Sequence, residues 1–226
     1  MLITATSKPL TWQRTSYSPF ARQRDVFLSA FTFLFFVWWD NLWQHDSPLI
    51  RKRRAKWLVA KMLDLGPTFI KIGQSLSTRV DLLPLEYIEE LSQLQDRVPK
   101  FATQEAIAIV ETELGKSLYS IYRDFDQEPI AAASLGQVHK ACLHTGEEVV
   151  VKIQRPGLKQ LFDLDFVVVG KLLRLFRRWF AWIRKYQLEA VYDEFFTVLY
   201  QEIDYIKKKK NADRFRNNFT DFPRIV

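Results

Sequence analysis

Apolar residues recur at helical spacing through most of the first 115 residues. The spacing predicts four helices: one over residues 51–66, a second that begins at Pro67, a third over 84–95 and a fourth over 103–114. Proline suits the first turn of a helix because its missing N–H has no intrahelical partner there. Thr103 is a predicted N-cap, and Gly115 is a predicted stop for the same helix. The first 115 residues are therefore predicted to be helical throughout.

The pattern then changes from helical spacing to alternation. Residues 119–125 alternate loosely, residues 131–143 carry small residues into a strand, and 147–154 form a β-branched strand after a turn at 144–146. Lys152 interrupts the apolar run of this last strand. A lysine is costly to bury there unless an anionic group meets it. The alternative is a lysine on the open face of an edge strand.

Two further helices are predicted after the strands. Residues 158–183 interleave basic and aromatic positions, which favours a membrane-facing surface. A core helix with snorkelling cations is the alternative. Residues 188–215 are predicted to form one long helix that holds Glu194, Glu202 and Asp204. The fold class is therefore α+β, mostly helical, with one small antiparallel sheet.

Residues 26–39 form an uncharged run of fourteen that ends at Asp40. Because a spanning helix needs roughly 20 apolar residues, a true span is disfavoured. Trp38, Trp39 and Trp43 beside a charge are typical of an interfacial anchor. A signal peptide is disfavoured, since no small-residue cleavage site follows. An interfacial or membrane-dipping helix and a buried core helix both remain open.

Five cations occupy six positions just beyond this run, at residues 51–54 and 56. They suit acidic lipid headgroups, and a solvated helix face is the alternative. The neighbouring hydrophobic run favours the membrane. Nucleic acid is disfavoured as a partner, because no recognised binding motif accompanies the cations.

Composition adds two constraints. The 226 residues carry a net charge of +7 with a pI near 9.4, which favours anionic partners. Cys142 is the single cysteine, so an internal disulfide is excluded and a reducing compartment is favoured. His139 and His144 have no second cysteine or acidic cluster nearby, and no metal ligands are therefore assigned within this chain.

Lys71 and Gln74 are three residues apart on a predicted helix, so both project from one face. Together they can reach one polar target, such as a phosphate or a carboxylate. The alternative is a snorkelling lysine and an exposed glutamine on a packing helix.

Four motifs, in this order, resemble those of the UbiB family of atypical protein-kinase-like proteins, over roughly residues 58–222. They are its K-x-G-Q signature at residues 71–74, its alanine-rich loop at 131–139, its lysine-bearing third strand at 150–157, and its E-x-D motif at 202–204. The alanine-rich loop stands in for the glycine-rich loop of ordinary kinases. The resemblance implies a kinase-like N-terminal lobe preceded by family-specific helices.

The resemblance also implies a site. Its nucleotide-binding residues are Ala131, Ala132, Ala133, Ser134, Gly136, Gln137 and Lys152. Its catalytic residues are Lys71, Gln74, Glu202 and Asp204, with Lys71 meeting Glu202 or Asp204. Lys152 would hold the phosphates of ATP, as the strand lysine of kinases does. Mg²⁺ would be bound by a C-terminal lobe.

The chain departs from the family pattern in two places. Lys208 stands where the family usually has a second glutamate, and it is expected to pair with Asp204 at i,i+4. The catalytic-loop Asp and Asn and the metal-binding Asp of the C-terminal lobe have no counterpart in these residues. Asp213 and Asn218 have the right separation but lie in the predicted last helix, and their match is interpreted as coincidental. The chain is therefore predicted to be an N-terminal half.

Three segments are predicted: a lead-in with a hydrophobic helix at 1–48, a helical extension at 49–115, and an incomplete small lobe at 116–226 with an inserted basic-aromatic helix at 158–184. The implied function is ATP binding with slow hydrolysis or unorthodox phosphoryl transfer, in support of quinone or prenyl-lipid metabolism at a membrane. The predicted partners are nucleotide, an anionic membrane surface or prenyl lipid, and lipid-biosynthesis proteins. The predicted location is a membrane facing the cytoplasm or plastid stroma. A catalytically inactive membrane-associated scaffold is the alternative.

Overall fold

A computed structural model describes residues 18–43, 47–96, 98–178 and 187–219. The chain divides into two compact units, residues 1–157 and 158–226. The predicted boundaries at 48 and 115 remain predictions. The predicted lead-in before residue 18, and the end of the predicted helix after residue 178, lie outside the described residues.

Helices make up the first part of the first unit. They are α1 (Pro19–Leu42), α2 (Pro48–Leu65), α3 (Pro67–Leu76), α4 (Leu85–Ser92) with a 3-10 turn (Gln93–Gln95), α5 (Thr103–Leu114) and α6 (Leu118–Ile121). The hydroxyl of Ser47 accepts a hydrogen bond from the N–H of Ile50, which caps α2. Gly66 joins α2 to α3 at φ 91°, a conformation that favours glycine. The core between α2, α3 and α4 includes Val59, Met62, Ile70, Leu91 and Leu94.

A small antiparallel sheet follows. Its strands are β1 (Tyr122–Phe125), β2 (Ala131–Ala133), β3 (Gly136–Leu143) and β4 (Glu148–Gln154). β3 is central: β4 pairs along one edge of it, while β1 and β2 pair with opposite ends of the other. A second core packs one face of this sheet against α5 and α6, with Phe101, Val110, Leu118, Phe125 and Ile153 among its members.

The second unit contains three described helices, α7 (Leu158–Arg177), α8 (Leu188–Ile203) and α9 (Tyr205–Asn218). Phe166 of α7 stacks on Tyr192 and meets Phe196 edge-on, which packs α7 against α8. The hydroxyl of Tyr200 donates to the carboxylate of Asp163 at 2.6 Å across the same pair of helices.

The predicted fold class is confirmed: a mostly helical chain carries one small antiparallel sheet. Three local predictions are wrong. Residues 118–121 form α6, so the strand predicted from the alternation over 119–125 begins only at Tyr122. Ala102, not Thr103, is the N-cap of α5, and the Thr103 hydroxyl donates instead to the carbonyl of Gln127 at 2.8 Å. The long helix predicted over residues 188–215 is broken at Asp204, where the backbone leaves helical geometry at φ −84° and ψ 89°.

Candidate functional site

The alanine-rich stretch folds as a tight β-hairpin. β2 pairs with β3 in the register Ala131↔Val138, Ala132↔Gln137 and Ala133↔Gly136, which leaves Ser134 and Leu135 as the turn. Both turn residues are buried, at 2% and 8% exposure. We call residues 131–137 the alanine hairpin. The hairpin is therefore hydrogen-bonded into the sheet, and its turn is shielded from solvent.

The sheet register aligns Ala131, Val138 and Lys152 in one row across β2, β3 and β4. Residues paired in register point to the same face of a sheet. Ala131 and Lys152 are exposed, whereas Ile153, the next residue of β4, is buried. The row therefore lies on the face opposite the core, which we call the open face. Lys152 matches the predicted lysine on an open strand face.

Gly136 lets β3 and β4 approach each other closely at the base of the hairpin turn. A β-carbon added to Gly136 would lie 2.4 Å from the carbonyl oxygen of Ile153, closer than van der Waals contact allows. The obstacle is backbone, so a rotamer change cannot relieve it. Gly136 is therefore required by packing between strands.

Gln137 lies on the other face of the hairpin and is fully buried. Its Oε1 accepts from the N–H of Phe101 at 3.2 Å, and its Nε2 lies 2.9 Å from Nε2 of His139. Nδ1 of His139 lies 2.8 Å from the carbonyl oxygen of Asp126, which makes Nδ1 the protonated nitrogen and Nε2 the acceptor. The Gln137 amide is thus engaged at both ends by the protein, and its predicted contact with nucleotide remains a prediction.

Arg155, which directly follows β4, was assigned no role from the sequence. It is 3% exposed, and burial lowers the pKa of its guanidinium to about 10. Its Nη2 donates to the carbonyl of Pro99 at 2.7 Å, and its backbone N–H donates to that of Leu135 at 2.9 Å. The only sequence signal was an arginine before Pro156, a position that favours extended backbone.

The K-x-G-Q motif lies on α3, and its glycine and glutamine are packing residues. A β-carbon on Gly73 would lie 2.3 Å from Cδ1 of Leu94 and 2.7 Å from Sδ of Met62, so glycine permits close approach of neighbouring elements. Nε2 of Gln74 donates to the carbonyl of Leu94 at 2.8 Å. Lys71 is half-buried one turn before Gln74.

Glu202 and Asp204 belong to the second unit, and the predicted contact of Lys71 with either remains a prediction. The carboxylate of Asp204 accepts from the N–H of Lys207 at 2.9 Å and so caps α9. The ammonium of Lys208 lies 5.5 Å from the centroid of the Tyr205 ring. The backbone N–H of Lys208 donates to the carbonyl of Asp204 at 3.1 Å, and the predicted side-chain pairing of these two residues remains a prediction.

The basic cluster at the start of α2 is partly committed to ion pairs within the protein. Arg54 holds Asp40 through two hydrogen bonds of 2.8 and 2.9 Å, Arg51 pairs with Glu86 at 2.9 Å, and Lys52 lies 3.7 Å from Glu89. The hydrogen bonds that Arg54 donates to the Asp40 carboxylate raise the pKa of Arg54. Three of the five cations are therefore paired with acidic side chains, and contact of this cluster with lipid remains a prediction.

α1 presents an apolar stripe to solvent. Phe33 and Phe36 pack on Trp57 of α2, but the other face keeps Leu28, Phe31, Phe35, Trp38 and Leu42 between 47% and 59% exposed. These positions alternate by three and four residues and so lie along one side of the helix. We call them the aromatic stripe. None of the helices in the described segments combines the length and apolarity needed to cross a membrane.

A small antiparallel sheet with a lysine beside a hairpin, preceded by helices, defines a kinase-like N-terminal lobe, and comparison with known proteins agrees. Residues 93–226, more than half of the chain, match the ABC1 atypical kinase-like domain. The chain belongs to this family.

Three relatives illustrate the match. An uncharacterised Synechocystis protein, sll0095, is 53% identical over 96% of this chain and 39% of its own length. The Arabidopsis thaliana protein ACTIVITY OF BC1 COMPLEX KINASE 8, chloroplastic, is 48% identical over 93% of this chain and 29% of its own. A probable protein kinase UbiB from Pseudomonas fluorescens is 42% identical over 80% and 34%. The chain therefore spans about two fifths or less of the length of these relatives.

One solved structure is also similar. It is the complex of Rv3197 with erythromycin from Mycobacterium tuberculosis, which is 28% identical and covers 68% of this chain and 39% of its own, with a TM-score of 0.44.

Proposed function

We propose that this chain binds ATP on the open face of its sheet and forms part of an atypical kinase or ATPase that supports quinone or prenyl-lipid metabolism at a membrane. The observation that carries the proposal is the row formed by Ala131, Val138 and Lys152 beside the hairpin turn. An exposed cation next to small side chains leaves room for a phosphate chain.

The alanine hairpin and Lys152 have complementary roles in this proposal. Lys152 supplies a positive charge for the α- and β-phosphates, as the strand lysine does in kinases. A glycine-rich loop closes over phosphates with its N–H groups, whereas the alanine hairpin is paired to β3 in a fixed register. Binding here would therefore rest more on Lys152 than on backbone closure.

Mg²⁺ would accompany the nucleotide. Across the described residues, no group of three or more His, Cys, Asp or Glu side chains is placed to hold a metal ion. The proposal therefore leaves the metal ligands to a C-terminal lobe, and the chain alone should bind nucleotide weakly.

The nucleotide proposal is tested by measuring ATP affinity of the full chain with and without Mg²⁺, by calorimetry or a fluorescent analogue. Lys152→Ala should weaken binding at least about tenfold, since a hydrogen-bonded charge contact contributes roughly 1.5–3 kcal/mol. Lys116→Ala is the matched control, because Lys116 is an exposed lysine just after α5, which packs on the face of the sheet opposite the open face. Equal loss in both variants, or no ATP binding at millimolar concentration, contradicts the proposal.

The proposed link to quinone metabolism comes from the resemblance to the UbiB family. The names of three relatives refer to the activity of the BC1 complex and to UbiB. The proposed partners are lipid-biosynthesis proteins and prenyl lipid. The proposed location is a membrane facing the cytoplasm or plastid stroma, in keeping with the chloroplastic relatives and the single cysteine.

A catalytically inactive membrane-associated scaffold is a second candidate, favoured by the aromatic stripe. Its five apolar side chains would insert at the level of lipid headgroups, as interfacial helices do. Arg53 and Lys56 are exposed on α2 and would add attraction to an anionic surface. Both the scaffold and the enzyme proposal use this membrane contact.

Vesicle flotation tests the membrane contact directly. The chain should float with vesicles of phosphatidylcholine and phosphatidylglycerol, and Phe35→Glu with Trp38→Glu should abolish flotation. Val191→Glu with Val198→Glu is the control, because it places the same two charges on exposed apolar residues of α8. Arg53→Gln with Lys56→Gln should make flotation weaker and less sensitive to salt. Flotation of the Phe35 and Trp38 double variant at the parental level contradicts the contact.

A further inference from the structure

The alanine hairpin is fastened to the segment that precedes α5, residues 98–102. We propose that Arg155 is a positioning residue that sets the conformation of the hairpin by bonding both the hairpin turn and this segment. The part of the proposal that concerns nucleotide affinity rests on the proposed function, whereas the part that concerns hairpin conformation does not.

Arg155 contacts the hairpin turn on both sides. Its backbone N–H donates to the carbonyl of Leu135 at 2.9 Å, and its Nη2 lies 3.5 Å from the carbonyl oxygen of Ala133. The same Nη2 donates to the carbonyl of Pro99 at 2.7 Å, and the guanidinium lies 5.1 Å from the centroid of the Phe101 ring. The Arg155 side chain therefore joins Ala133, at the end of β2, to the segment before α5, while the Arg155 backbone bonds the turn.

The chemistry of this position is specific to arginine. A guanidinium is planar and presents its donors in a fixed fork, whereas a lysine ammonium is a compact point charge on a flexible stem. Burying a cation is unfavourable unless hydrogen bonds replace its water. Arg155 is 3% exposed, and its Nη2 contacts the carbonyls of both Pro99 and Ala133, so these two carbonyls must lie within reach of one nitrogen.

Gln137 provides a second attachment at the base of the same hairpin. Its Oε1 accepts from the N–H of Phe101, two residues beyond the carbonyl that Arg155 holds. The two attachments use neighbouring points of segment 98–102, so the hairpin cannot tilt about either one alone. The same stretch of chain runs back to Leu94, whose carbonyl accepts from Gln74 of the K-x-G-Q motif.

Two features of the hairpin follow from this geometry. It should behave as a rigid part of the site, in contrast to a mobile glycine-rich loop. Its position should also respond to any displacement of segment 98–102, which is where the helical part of the first unit meets the sheet.

Hydrogen exchange of the full chain, measured without nucleotide, tests the proposal. In Arg155→Met, the carbonyls of Pro99 and Ala133 lose their side-chain donor while the backbone bond to Leu135 stays. The hairpin should then open more often, so that the amide N–H groups of residues 130–138 exchange at least about tenfold faster. Arg155→Lys should give a smaller increase in the same peptides. Arg123→Met, which alters an exposed arginine of β1, is the control and should leave these peptides unchanged. Peptides of α7 should be unchanged in all variants.

Unchanged exchange at residues 130–138 in Arg155→Met overturns the proposal, as does a uniform increase over the whole first unit. If Arg155→Met fails to fold by circular dichroism, Arg155→Lys decides the outcome by the same criterion.

ATP affinity is the second readout. If the parent chain binds ATP, Arg155→Met should weaken binding about tenfold through displacement of the hairpin, with Arg155→Lys between the two. If the parent chain binds no ATP, the proposed function fails, while the exchange result still decides the role of Arg155. Unaltered ATP affinity together with faster hairpin exchange would overturn the link between hairpin position and binding.

Discussion

The K-x-G-Q motif and the alanine hairpin each contain a glycine that has no room for a β-carbon, but the neighbouring atoms differ in kind. Gly73 of α3 faces the ends of the Leu94 and Met62 side chains, whereas Gly136 of the alanine hairpin faces the backbone of Ile153. Side-chain ends can move to another rotamer, but a strand carbonyl that belongs to the ladder cannot. The sheet motif should therefore tolerate change less than the helix motif.

The largest effect is expected at Gly136. Gly136→Ala should lower the free energy of unfolding by about 3 kcal/mol or more, because overpacking against backbone must separate β3 from β4. Denaturant unfolding measures the change. Adding Ile153→Ala should give no recovery, since the obstructing atom is the carbonyl oxygen. Recovery in the double variant would show that side-chain packing, and not the backbone, limits this position.

A smaller effect is expected at Gly73. Gly73→Ala should cost about 1–2 kcal/mol, because overpacking is partly offset by the better helix propensity of alanine. Combined with Leu94→Ala, the loss should be about 1 kcal/mol smaller than the sum of the single losses, since the new methyl group enters the vacated space. Strict additivity in unfolding experiments would contradict the packing explanation for this glycine.

The smallest effect is expected at Gln74. Gln74→Met should cost about 1 kcal/mol, the usual net contribution of one hydrogen bond, because the Leu94 carbonyl loses its donor. Ser75→Ala, at an exposed neighbouring position of α3, is the control. Unchanged stability combined with lost ATP binding would instead favour the predicted catalytic role of Gln74.

Much of the local structure was predictable because short-range rules decide it. Pro67 begins α3, Gly115 ends α5 in left-handed geometry, and the β-branched run around Lys152 forms β4. Where competing partners exist, those rules failed. Thr103 was a sound N-cap candidate, but the carbonyl of Gln127 lies within reach and takes its hydroxyl. At Asp204 the side chain bonds the backbone of Lys207 and begins a new helix.

The features of the candidate site also differ in whether they could be predicted from the sequence. The motifs predicted the position of the alanine-rich loop and of Lys152, since both are local in sequence. The hairpin that this loop forms, with Ser134 and Leu135 as its turn, was not predicted. The role of Arg155 could not be read from sequence, because its partners Pro99 and Ala133 are 56 and 22 residues away. The ion pairs of α2 were not predicted for the same reason. Three of its five clustered cations pair with acidic residues of other helices, at Asp40, Glu86 and Glu89.

The α+β class and the family could be predicted from the amino-acid sequence, because periodicity, turn residues and motif order are properties of neighbouring residues. The burial of Gln137 and the contacts of Gly73 and Gln74 with Leu94 could be seen only in the folded chain. Burial and hydrogen-bond partners depend on which distant segments of the chain come together. A motif therefore predicts which functional groups are present, and the fold decides which residues those groups contact.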